Sequence, residues 1–254
     1  MSKRPASMST TQPAVLSMAT DVRDELASVT IGYASSSTET ETPATRLLLC
    51  AGAWTRRILS SLFPLIRSSR PPPVHIKPLA GHSLVVRTPR FRLGDESHFR
   101  CFARSATRGL ALELFARANG VIYVSGVNSS STPSALLPTD AQPDGASLAK
   151  LKDLARRLIA LPPGEKEEEE QEQELEVVRE GLCFRPVTDR GVPYVRRLKD
   201  EQLGVKTRGG GEGGVFVAAG HGPWGISLSL RTGKVMAELM AGRETSADVS
   251  GLGI

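Results

Sequence analysis

The stretch Val215–Arg243, VFVAAGHGPWGISLSLRTGKVMAELMAGR, constrains the fold more than any other part of the chain. Val215–Ala219 is a short apolar run with β-branched residues and predicts a buried strand. Gly220-His221-Gly222-Pro223-Trp224-Gly225 predicts a turn whose three glycines let the backbone bend and approach a ligand closely. Ser227 to Ala241 then predicts a helix, with Leu228, Thr232, Val235 and Leu239 on one face at spacings of three and four. Gly242 suits a helix stop, and Arg243 suits the negative end of the helix dipole. A strand, a glycine turn and a helix N-terminus together hold an anion or a polar ring edge on free backbone N–H groups.

Gly220, Gly222 and Gly225 formally spell G-x-G-x-x-G. The dinucleotide fingerprint also needs a second parallel strand and an acidic residue about 20 positions on. Within this chain only Glu244–Ile254 follows, and Pro223 and Trp224 fit a tight pyrophosphate loop poorly. A second match, Gly209, Gly211 and Gly214, precedes a strand instead of following one and reads as a flexible loop.

GVFVAAGHGPWGISLSLRTGKVMAELMAG resembles the C-terminal cofactor segment of the FAD-dependent oxidoreductases related to D-amino-acid oxidase, glycine oxidase and sarcosine oxidase. Two further stretches agree in order, LLLCAGAWTRRIL at Leu47–Leu59 and GLCFRPVTDRGVPYV at Gly181–Val195. Members of this family open with a strand, a G-x-G-x-x-G turn, a helix and an acidic residue that holds the adenosine ribose. Nothing before Leu47 supplies these, and Gly32 is the only glycine in the first 51 residues. The resemblance therefore implies the C-terminal part of a flavoenzyme.

The fold class this implies is α/β (α+β), an incomplete two-domain flavin oxidoreductase. A partial FAD-binding Rossmann-like layer is expected at 26–66 and 191–254, and an antiparallel-sheet substrate domain at 67–190. In such proteins the turns Ala51-Gly52-Ala53-Trp54 and Gly220-His221-Gly222-Pro223-Trp224-Gly225-Ile226-Ser227 meet the flavin end of FAD. The alternative for Gly52 is that it merely allows close helix–strand packing. FAD binding by this chain is expected to be weak or absent, because the adenosine half has no partner in it.

Flavin chemistry asks little of side chains, because the ring itself accepts the hydride. What the protein must supply is a hold on the substrate. Arg185 precedes Pro186 where the amino-acid-oxidising relatives carry a carboxylate-binding arginine, and a guanidinium can meet a carboxylate bidentately. Its alternative is an arginine closing a strand end or paired with Asp189. Cys183 falls where the sarcosine-oxidase branch attaches FAD covalently, but Phe184-Arg185-Pro186 resembles the non-covalent branches, in which Cys183 is a small buried hydrophobe. No catalytic side chain and no metal-ligand spacing is visible. The implied substrate is a small amine or amino acid; the second reading is a non-catalytic remnant or interaction protein that keeps the fold without FAD.

Charge narrows the partners. The net charge of +5 hides an acidic run at 165–176, EKEEEEQEQELE, whose eight Glu and one Lys carry −7 and leave +12 for the remainder. The arginines are scattered without interleaved aromatics, which argues against nucleic acid. The acidic run, within an insertion at 162–176, reads as solvated chain or a helix extension. Three distant cysteines without a C-x-x-C pair fit a reducing compartment. No apolar run reaches membrane-spanning length and the N-terminus has no secretory h-region, so the expected location is cytoplasmic, with mitochondrial as the alternative. The sequence identifies no protein partner.

Along the chain, residues 1–25 read as a disordered tail, Leu26–Tyr33 as a strand, Ser35–Thr45 as a polar hairpin or loop, and Arg46–Ala51 as a second buried strand before the helix Ala53–Leu62. Ser68–Pro73 reads as a domain crossing. His82 sits in a turn, where a histidine is more often a hydrogen-bonded structural residue than a catalyst. Leu110–Ala118 suggests a short helix, Val121–Val124 a strand, and Leu148–Leu161 an amphipathic helix. Leu175–Phe184 and Val192–Val195 read as strands.

Overall fold

The computed structural model describes residues 13–33, 36–63, 73–88, 100–105, 110–117, 119–159, 175–209 and 212–253. The chain divides into two compact units, Met1–Lys77 with Pro186–Ile254, and Pro78–Arg185.

The first unit holds two three-stranded sheets. β1 (Pro13–Thr20), β2 (Leu26–Tyr33) and β3 (Ser36–Pro43) form an antiparallel meander in that order. β2 follows its sequence expectation residue for residue, with the β-branched run Val29-Thr30-Ile31 favouring a strand and Leu26 and Val29 buried. β1 corrects the tail reading of 1–25 over its described part. Its mixed sequence, PAVLSMAT, shows no strict alternation and gives a weak strand signal, and pairing with β2 from Pro13↔Tyr33 to Thr20↔Leu26 supplies the order. Of the hairpin and loop readings of Ser35–Thr45, the hairpin agrees with the structure, since β3 pairs antiparallel with β2. The alternation in Thr38–Thr42 is all polar, and the Ser28 hydroxyl donates to Glu41 at 2.5 Å.

The second sheet of this unit runs β10 (Tyr194–Arg197), β11 (Gly214–Ala219), β4 (Arg46–Leu49). β11 is parallel to β4, with Val215 opposite Leu47 and Val217 opposite Leu49, and antiparallel to β10. β11 is the central strand and is buried on both faces, as its continuous apolar run demands. One face meets α1 (Thr55–Leu62) through Leu49, Leu59, Leu62, Phe63, Val215 and Val217. The other puts Phe216 and Val195 against Val235 and Met236 of α4 (Gly225–Met240). The short helix α3 (Asp200–Leu203) adds Leu203 to the first cluster. It ends at Gly204 in the left-handed region, with φ 68°.

α4 corrects the expected helix face. Val235 is buried and Leu239 packs beside it, but Leu228 is 38% exposed, and Ile226 and Leu230 stand 92% and 88% exposed. Val195, Phe216, Val249 and Leu252 are the apolar surface available to this helix, and they meet its second half only.

The second unit is built on a five-stranded sheet ordered β6 (Arg100–Ser105), β7 (Leu110–Arg117), β8 (Val121–Ser129), β5 (Ile76–Arg87), β9 (Glu176–Thr188). β6–β7, β7–β8 and β8–β5 pair antiparallel. β7 replaces the helix suggested for Leu110–Ala118. Its Leu-Ala-Glu composition favours helix locally, but Leu112 and Leu114 recur at a spacing of two and bury on one side of the sheet. α2 (Gly145–Leu158) covers that side, placing Leu148, Leu151, Leu154 and Ala155 against Leu84, Val86, Leu112, Leu114 and Val124. Each such leucine contributes about 1.5–3 kcal/mol on burial. Asp144 caps α2 by accepting from the Ser147 N–H at 2.8 Å, and this hydrogen bonding lowers its carboxyl pKa. The Asp144 N–H in turn donates to Nε2 of the fully buried His82 at 3.1 Å. His82 lies within β5 and not in the expected turn, and its hydrogen bond ties β5 to the cap of α2, in line with a hydrogen-bonded structural role.

The acidic segment 165–174 and the crossing at 68–72 lie outside the described residues. No described helix is long and apolar enough to cross a membrane, and no described group of His, Cys, Asp and Glu forms a metal site.

Candidate functional site

Two turns leave the same ends of two neighbouring parallel strands. After β4, Gly52-Ala53-Trp54 forms a single 3-10 turn that leads into α1. After β11, Gly222-Pro223-Trp224 forms a second one that leads into α4. The C-terminal ends of parallel strands are where open α/β folds bind ligands. Ala51, Gly52, Ala53 and Trp54 are half-buried; Gly220 is buried, His221 and Gly222 are half-buried, and Pro223, Trp224, Gly225, Ile226 and Ser227 are exposed.

Backbone geometry fixes the glycines. Gly220 has φ 92°, and a Cβ there would lie 2.6 Å from Thr188 Cγ2, so both conformation and space demand glycine. Gly52 has φ 53° and nothing within 4 Å of an added Cβ, which leaves its backbone open to approach.

Polar groups at the two turns are incompletely engaged. Neither α1 nor α4 has a side-chain cap or an acidic residue in its first turn; the Thr55 N–H at the start of α1 donates to the Gly52 carbonyl, and the Trp224 N–H ahead of α4 donates to the His221 carbonyl. The first residue of α1, Thr55, is fully buried, and its hydroxyl has no hydrogen-bond partner among the described residues. His221 Nε2 lies 3.1 Å from Thr232 Oγ1, tying the turn to the third turn of α4. Burial pushes the His221 pKa down, so the ring is neutral near pH 7.

Arg185 belongs to the other unit. Its guanidinium Nη2 lies 4.0 Å from Glu113 Oε2, with the two side chains 27% and 31% exposed. The alternative partner Asp189 is instead engaged by Lys77 at 2.6 Å. Cys183 lies on β9, with its Sγ 3.6 Å from the Gly81 carbonyl oxygen, and it is exposed, which corrects the expectation of a small buried hydrophobe.

Sequence reasoning missed Thr55, Thr232 and Glu113. Thr55 follows the Ala-Gly-Ala-Trp stretch directly and was within reach of that motif. Glu113 carries no local signal at all; only the pairing of distant strands brings it to Arg185.

The family model described as FAD dependent oxidoreductase matches residues 15–239. The chain belongs to this family. Among solved structures, this member of the family is similar to glycine oxidase from Geobacillus kaustophilus, with a TM-score of 0.62 and 21% identity over 95% of this chain and 51% of that one. It is also similar to L-proline dehydrogenase from P. horikoshii, with a TM-score of 0.60 and 14% identity over 95% of this chain and 52% of that one. A Schizosaccharomyces pombe protein named as an unconfirmed oxidoreductase, C1F5.03c, is 24% identical over 208 residues, which are 81% of this chain and 44% of that protein. The chain thus spans about half the length of the structures it matches and somewhat less than half of the yeast relative.

Proposed function

We propose that this chain contributes the substrate-side sheet and the flavin-end turns of an oxidoreductase that uses FAD to oxidise a small amine or amino acid at its C–N bond. The observation that carries the reading is the pair of glycine turns at the C-terminal ends of the parallel strands β4 and β11. The residues fit the flavin end of FAD. The start of α4, which has no side-chain cap, the Thr55 hydroxyl, which has no partner among the described residues, and the open backbone at Gly52 offer polar groups to the edge of a ring. Bound FAD would accept two electrons and a hydrogen from the substrate carbon.

The chain's own residues hold and orient. Gly52 and Gly222 let the backbone approach, His221 stays neutral against Thr232, and Arg185 takes the substrate carboxylate. A neutral His221 can donate or accept one hydrogen bond without adding charge beside the ring. The scattered arginines support a small-molecule partner over nucleic acid, and the unpaired, distant cysteines support the cytoplasm.

A second reading, an interaction protein that keeps the fold without FAD, draws support from Trp224, Ile226 and Leu230, which are 63%, 92% and 88% exposed at the start of α4. Anaerobic spectroscopy separates the two. Purified chain with excess FAD should lose flavin absorbance when the right member of a panel of amines and amino acids is added. Flavin that stays oxidised across the panel would reject the enzyme and favour the interaction protein.

A further inference from the structure

The five-stranded sheet carries a polar row on the side turned away from α2. Leu84, Leu112, Leu114 and Val124 pack toward α2, so their neighbours Ser83, Glu113 and Ser125 point to the opposite side. The register aligns them, with Glu113 opposite Ser125 and Ser125 opposite Ser83 across β7, β8 and β5. Ser125 and Ser83 are 3% and 8% exposed, a small polar floor. β9 continues the row with bare backbone, since a Cβ at Gly181 would fall 2.7 Å from Ser83 Oγ. Arg185, also on β9, reaches back over this floor to within 4.0 Å of Glu113, and the Ser125 hydroxyl lies 3.5 Å from the same Glu113 oxygen.

Both of these contacts are at or beyond the outer limit of a hydrogen bond. The guanidinium has five donors and the carboxylate about four acceptor sites, so among the described residues most of their capacity is unspent. The arrangement is a positive pole and a negative pole, both half-buried, held apart over two serines. An ion pair of this kind adds little to folding by itself.

We propose that Glu113 is a specificity-determining residue that holds the ammonium group of a monocarboxylic amino acid whose carboxylate lies on Arg185. This rests on the amine-oxidation reading above and narrows it from amines in general to zwitterions. A free carboxylic acid lacks the cation that Glu113 accepts. A dicarboxylate brings a second negative charge against it. A simple amine leaves Arg185 without a partner, so all three bind less well than the zwitterion.

Ligand-observed NMR on the full chain without FAD tests this with alanine, propionate and ethylamine as probes. Wild type should bind alanine about tenfold or more tighter than either fragment, as loss of one charge-assisted contact implies. Glu113→Gln should bring alanine down to the level of propionate while leaving propionate unchanged or tighter, and Glu113→Asp should restore part of the preference. Arg185→Gln should weaken alanine and propionate together. Circular dichroism melts of each variant verify that the sheet is intact. Equal binding of alanine and propionate to wild type, no binding of any probe, or an unchanged ratio in Glu113→Gln would overturn the proposal. The expected ratios in a chain that never bleaches flavin would uphold the site and reject the oxidase reading alone.

Discussion

Gly52 and Gly222 adopt the same left-handed backbone, φ 53° and 54°, each two residues ahead of a tryptophan that begins a helix. The tryptophans match as well, Trp54 at φ −89° and ψ −4° and Trp224 at φ −92° and ψ 1°. Their strands, β4 and β11, are parallel neighbours. One local solution, a positive-φ glycine and a single 3-10 turn, is thus used twice side by side to turn a strand into a helix without a side-chain cap. Gly-Ala-Trp and Gly-Pro-Trp share only their first and last residues, so the likeness lies in the backbone more than in the sequence.

Substitution at the glycines should separate conformational strain from crowding. Gly52→Ala meets no atom within 4 Å and should cost about 1–2 kcal/mol from its positive φ alone. Gly220→Ala adds a collision with Thr188 Cγ2 and should cost more, about 2–4 kcal/mol in all. Urea unfolding of the two variants checks the order; equal losses would mean that the Thr188 contact relaxes freely.

Much of the fold could be read from the chain because its strongest signals are local. Leu26–Tyr33 holds the β-branched run Val29-Thr30-Ile31, Val215–Ala219 is a continuous apolar run, and the leucines of α2 recur at helical spacing. The failures share a cause. Leu110–Arg117 and Pro13–Thr20 become strands through pairing partners that no local window contains. Ile226, Leu228 and Leu230 in the first half of α4 stay exposed, whereas the buried apolar cluster beside the helix meets its second half. At the site, the glycines announced the turns, whereas Glu113 needed three strand pairings to approach Arg185.

Phe216 is 2% exposed between Val195, Val235 and Met236 and joins the central strand to α4. Phe216→Ala should lose about 3–5 kcal/mol of unfolding free energy in urea melts. A loss under 1 kcal/mol would mean that α4 does not depend on this contact.

His221 should make stability fall on mild acidification. Burial sets its folded pKa below the ordinary value of 6.5, so the unfolded chain binds the proton first as pH falls. Its contribution is complete above about pH 6.5 and is lost as pH drops from there through the folded value. Melting temperature measured across pH 7.5 to 5 should decline in wild type and decline less in His221→Asn. Parallel curves would place the proton uptake elsewhere.

The function proposed above requires this chain to bind FAD through its flavin end. Titrating FAD and riboflavin into the 254-residue chain by flavin fluorescence tests it most directly. The account predicts dissociation constants weaker than about 1 μM for both ligands and within about tenfold of each other, since each missing charge-assisted hydrogen bond is worth about 1.5–3 kcal/mol. Gly222→Val, which fills the second turn, should abolish both. Saturation at sub-micromolar FAD with riboflavin far weaker, or binding untouched by Gly222→Val, would contradict it.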